Sequence, residues 1–63
     1  MSRPEFDPAS ARLLVVDDQQ DNVQLLQALL VQSGYAQVQT TTDPRRVVPL
    51  HDEFNFDLIL LDL

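Results

Sequence analysis

Residues 13–22, LLVVDDQQDN, set four apolar side chains directly against a pair of acids. A strand with one face in water would show a polar residue at every second place. An apolar run without alternation instead fits a strand buried on both faces, as in a parallel sheet. The strand is read over residues 11–16 and stops abruptly at Asp17 and Asp18. A second segment, DLILLDL at residues 57–63, has the same character, with Asp57 before its apolar centre and Asp62 near its end.

Between these two segments the pattern changes period twice. From about Gln20 to Ser33, residues spaced at helical intervals place Val23, Leu25, Leu26, Leu29 and Leu30 on one arc, with Gln24, Gln27 and Gln32 on the other side. Gly34, the single glycine, follows where a helix must turn left-handed to stop. Residues 35–42, YAQVQTTT, alternate in their middle and carry β-branched side chains, which predicts a second strand less buried than the first. Asp43 and Pro44 then form a cap followed by a proline at the first helical place. The second helix is expected from Arg45 to about Glu53. Pro49 lies inside it, lacks a backbone donor and crowds the preceding turn, so a kink or early end is expected near residues 48–50. The order β-α-β-α-β predicts an α/β fold with a parallel sheet and right-handed crossovers. Residues 1–10, MSRPEFDPAS, read as a flexible leader, and residues 11–63 as one partial domain.

Composition bounds the function. The chain has 63 residues, 44% of them apolar, and no cysteine, so no disulfide or thiolate site supplements a small core. Its longest apolar runs are four residues, far short of the roughly 20 needed for a bilayer span, and the leader lacks the apolar stretch of a secretory signal. A cytoplasmic setting is the expectation. Ten acids face four arginines and no lysine, a formal charge of −6, which argues against contact with nucleic acid.

Three acids fall at the carboxyl ends of strands: Asp17 and Asp18 after the first, Asp62 at the third. Ligands of open α/β sheets bind outside those ends, where the strand order reverses. With sheet order 2-1-3 the reversal falls between strands one and three, roughly 4.8 Å apart. Two carboxylates about 4 Å apart repel by about 4 kcal/mol at an effective dielectric of about 20. A hard divalent cation with oxygen ligands, Mg²⁺ in a cell, relieves that repulsion and keeps water places for a phosphate. The first helix begins just after Asp18, and its dipole also favours negative charge there. An aspartate beside such a cation can attack a phosphoryl group and form an acyl phosphate.

LLVVDDQQDN together with DLILLDL resembles the receiver domain of two-component response regulators. The acid pair after strand one, the aspartate of strand three, the 44-residue interval from Asp18 to Asp62, the Ser33-Gly34-Tyr35 helix end and the Asp43-Pro44 helix start all carry the resemblance. It implies a truncated, flavodoxin-like receiver spanning residues 12–63. By that resemblance Asp62 is the phosphoacceptor, Asp18 a direct Mg²⁺ ligand, and Asp17 a ligand through water or close by. The metal set is then Asp17, Asp18 and Asp62, with no further cofactor. The implied partners are a histidine kinase or phosphotransfer protein and an output domain in the parent. The module is a signalling domain, not an enzyme. Gln19 departs from an acid common at that place, and Pro49 is unusual. The family's later carbonyl ligand, hydroxyl switch residue and lysine have no counterpart in these 63 residues, so the segment is expected to be inactive alone.

Two alternatives stand beside that reading. A haloacid-dehalogenase-like phosphatase would also use an aspartate after a buried strand, but wants Asp-x-Asp, and Asp17-Asp18 puts the second acid one place early. An inert half-domain would leave the third strand at the edge of the sheet and self-associate through it. Asp21 and Asp57 read as solvated or capping residues, His51 as exposed and inert, Phe54 and Phe56 as side chains packed on the sheet, and Thr40–Thr42 as strand and cap residues.

Overall fold

A parallel sheet threaded by two helices forms the chain in a computed structural model that describes residues 7–62. In order come β1 (Arg12–Asp17), α1 (Gln20–Gln32), β2 (Gln37–Thr41), a 3₁₀ turn (Pro44–Arg46), α2 (Val47–Phe54) and β3 (Leu58–Asp62). The sheet runs β2-β1-β3 with both pairings parallel; the alternation of periods predicts the parallel pairing, and the receiver resemblance the order. Arg12 stands beside Gln37 at one edge of β1, and Leu13 beside Leu58 at the other.

β1 is central, and its apolar run is buried as expected: Leu13, Leu14, Val15 and Val16 are all almost fully enclosed. Each such side chain contributes about 2 kcal/mol by leaving water. Leu14 and Val16 pack with Phe56, and Val47, Leu50, Phe54 and Ile59 close over them. Leu13 and Val15 point to the opposite face by strand alternation. There α1 lies against β1 and β2, with Val23 buried.

The arc expected on α1 divides. Val23 is buried and Leu26, Gln27 and Leu30 are half-buried, a spacing of three, four and seven residues that marks the face on the sheet. Leu25 and Leu29, expected on the same arc, are 59% and 50% exposed, and Gln27, expected outside, is partly covered. A helix touches the sheet along one strip, and this apolar arc is wider than that strip.

Pro49 does not end the second helix. The chain enters it through a 3₁₀ turn, and Pro49 is then the third residue of α2, which runs on to Phe54. Within the first turn of an α-helix a backbone donor has no carbonyl to meet, so the missing N–H of proline removes nothing there. The irregularity expected at residues 48–50 is displaced to the 3₁₀ segment before them. β2 and β3 are each shorter than read from sequence; Asp57 precedes β3, and Leu63 lies outside the described residues.

Of the leader, residues 1–6 lie outside the described residues, and residues 7–10 form a turn. Asp7 closes it: its side chain accepts the N–H of Ala9 at 3.0 Å, and its carbonyl accepts those of Ser10 and Ala11. Pro8 lies against Gly34, whose φ of 102° stops α1. A Cβ there would meet only Pro8 at 3.7 Å, so the cost of a side chain is conformational and not steric. Gly34→Ala is expected to lower stability by about 1–2 kcal/mol, read as a lower urea midpoint with an unchanged slope; an unchanged midpoint would refute the assignment.

Candidate functional site

The parallel pairing of β1 with β3 places Asp17 directly beside Asp62 in register. Both strands run the same way, so both acids stand at the carboxyl end of the sheet, and Asp18 follows Asp17 immediately. The backbone arrangement expected from the sequence is therefore present.

The three side chains differ in environment. Asp17 is 2% exposed. Its Oδ1 accepts the N–H of Gln19 at 2.9 Å, which shapes the turn from β1 into α1. Its Oδ2 is buried and has no hydrogen-bond partner. An anionic oxygen hidden from water without a partner carries a desolvation cost, and such atoms call for an ion or a water. Asp18 and Asp62 are exposed. Among the described residues no three acidic, histidine or cysteine side chains form a group that could hold a metal ion. The strand ends thus converge while the carboxylates do not cluster. Exposed aspartates change rotamer at little cost, so the backbone placement is the durable part of the site.

α1 begins beside these acids. Gln19 occupies its cap position with extended backbone and makes no side-chain cap bond, and the positive end of the helix dipole starts two residues after Asp18.

At the end of β2 a separate polar knot forms. Thr41, buried, accepts the N–H of Asp43 on Oγ1 at 3.1 Å. Asp43 caps the 3₁₀ turn by accepting the N–H of Arg45 at 2.9 Å, as the Asp-Pro signal predicts. It also takes both Nε and NH2 of Arg45, each at 3.0 Å. The Arg45 side chain holds the Asp43 carboxyl below its ordinary value, and Asp43 in turn raises Arg45. Water surrounds this pair, so its stabilising effect is small.

Two residues set aside in the sequence prove to be structural. Asp57 accepts the N–H of Arg12 on Oδ2 at 2.8 Å, while its own N–H donates to the Arg12 carbonyl at 2.7 Å. Arg12 also donates from its guanidinium to the Phe54 carbonyl at 2.8 Å. His51, read as exposed and inert, is exposed but accepts the N–H of Phe56 on Nδ1 at 3.1 Å. The Arg12 bonds depend on where distant segments meet, and the His51 bond depends on the turn that follows α2. A pocket of about 510 Å³ lined by Arg12, Gln37, Gln39, Glu53, Phe54 and Phe56 lies elsewhere, at the amino ends of β1 and β2. Arg12 and Gln37 open their strands, so this hollow is remote from the acids.

The family model of the response regulator receiver domain matches residues 13–63. The chain belongs to that family: it is a receiver module of two-component signalling. No curated protein and no solved structure matches it. No described helix is long and apolar enough to cross a membrane.

The Asp43 carboxyl gives a titration test. Its folded value lies below its unfolded one, so its contribution is present above the unfolded value and is lost as pH falls through the folded one. Acidification is expected to destabilise the parent chain more than an Asp43→Asn variant. Carbon NMR should show Asp43 protonating at lower pH than an exposed aspartate. Titration at the ordinary position would contradict the ion pair.

Proposed function

We propose that Asp62 accepts a phosphoryl group from a histidine kinase or phosphotransfer protein, with Mg²⁺ held by Asp17, Asp18 and Asp62. The observation that carries this reading is the buried, unpartnered Oδ2 of Asp17 on the residue in register with Asp62. A hard cation bound by carboxylates would satisfy that oxygen and offset the repulsion among the three acids. Family membership supports the same assignment, since receiver domains generally bind Mg²⁺ at their phosphorylation site.

In the proposed step a carboxylate oxygen of Asp62 attacks phosphorus. The bond from phosphorus to the donor imidazole breaks, its electron pair leaves with the imidazole nitrogen, and an aspartyl phosphate forms. Mg²⁺, when bound, would neutralise charge on the phosphoryl oxygens. Asp17 has the smallest freedom of the three acids, fixed by burial and by Gln19, and serves to anchor the site. Asp18 and Asp62, exposed, turn toward the ligand. The module acts in the cytoplasm, relays its state to an output domain in the parent protein, and catalyses no turnover of its own.

Among the described residues the outer edge of β3 pairs with no strand, and Leu58 and Leu61 are exposed on it. That edge supports the reading in which copies of the chain self-associate.

Acetyl phosphate with Mg²⁺ is expected to place a base-labile acyl phosphate on Asp62 of the parent protein. The label should vanish in Asp62→Asn and on chelation of the metal. Asp17→Asn should weaken Mg²⁺ at least about 10-fold, measured by titration calorimetry. Label that persists in the Asp62→Asn variant would overturn the assignment.

A further inference from the structure

The junction between α2 and β3 is closed by an imidazole in the place of a backbone carbonyl. Asn55, just past the helix, adopts left-handed backbone with φ 54° and ψ 66°, and its N–H donates to the His51 carbonyl at 2.8 Å. In the usual glycine-type ending the next N–H would also find a helix carbonyl. Here the Phe56 N–H goes to His51 Nδ1 at 3.1 Å. The His51 ring stacks on Phe56 as well, with centroids 6.2 Å apart and planes 22° from parallel. Phe56 is buried against Leu14 and Val16. Asp57, next in the chain, is bonded twice to Arg12 of β1. One side chain thus ties α2 to the short segment that leads into β3.

A ring nitrogen that accepts an N–H bond carries no proton, so this arrangement requires neutral His51 with its hydrogen on Nε2. A doubly protonated ring has two donors and no acceptor, and its Nδ1–H would confront the Phe56 N–H. We infer that His51 is a proton-sensitive latch, which clasps the segment just before β3 to α2 when neutral and releases the Phe56 amide when protonated.

The charged groups around the junction are Asp52 and Glu53 on α2, Asp57 before β3 and Arg12 on β1. Arg12 is engaged with the Phe54 carbonyl, and Asp57 with the Arg12 N–H. The Phe56 N–H is accepted by His51 Nδ1 and by none of these groups.

Imidazole is the side chain whose charge ordinarily changes between about pH 8 and about pH 5, so the test spans that range. Nitrogen NMR of the chain at the upper limit is expected to show the Nε2–H tautomer at His51 and a Phe56 amide protected from exchange. At the lower limit, Phe56 protection should fall about 10-fold relative to amides of α1 and β1, after correction for intrinsic exchange, as befits one lost hydrogen bond. In His51→Gln that relative fall should be absent. The inference is overturned by an Nδ1–H tautomer or a tautomer mixture at the upper limit. Unchanged relative protection at the lower limit, or an equal fall in the glutamine variant, also overturns it. Should the variant not fold, tautomer and protection in the parent chain decide alone.

Discussion

The acid end of the sheet hangs on the pairing of β1 along both of its edges. β1 gives one ladder to β2 and the other to β3, and its four apolar residues are covered on both faces. The register that sets Leu13 against Leu58 at one end sets Asp17 against Asp62 at the other. A slip by one residue would turn every β3 side chain to the wrong face, moving Ile59 out of the core and Asp62 away from Asp17. The hydrophobic contacts of Leu14, Val16 and Ile59 thereby help to specify the placement of two acidic residues outside the apolar cluster.

Polar bonds pin that register at the far end. Arg12 and Asp57 exchange backbone and carboxylate bonds where β1 and β3 begin, and Arg12 reaches on to the end of α2. These bonds are spent on architecture. At the carboxyl end the reverse holds: Asp17 keeps one oxygen without any partner. The acid before β3 is satisfied by the fold, and the acid that ends β1 is only half satisfied.

Much of this is legible in the residues themselves. The unalternated run of Leu13–Val16 announces a strand covered on both faces, and the acids that end it lie where ligands of such sheets bind. Gly34 and Asp43-Pro44 place a helix end and a helix start by backbone chemistry alone. What sequence does not disclose is decided by neighbours distant in the chain. The arc of α1 is wider than the strip of sheet available, so Leu25 and Leu29 look interior in sequence and are exposed in the fold. Pro49 looks disruptive until the 3₁₀ turn shifts the start of α2 and makes its missing donor harmless. His51 and Asp57 look solvated because their partners, Phe56 and Arg12, are brought to them by a turn and by a long-range ladder. The orphaned oxygen of Asp17 is likewise a property of enclosure, which no motif records.

The wholly parallel sheet bears on the order in which the chain assembles. It contains no hairpin, so each ladder joins segments far apart: Arg12 meets Gln37, and Leu13 meets Leu58. Loop-closure entropy must be overcome before either contact stabilises anything, and more so for the longer span. The turn at Asp43 and the helix α1 need no such closure and are free to form early. Asp17 and Asp62 become neighbours only when the most distant ladder closes. The acids therefore cannot template folding by gathering a cation in advance, and their meeting reports that the rest of the chain has already found its place.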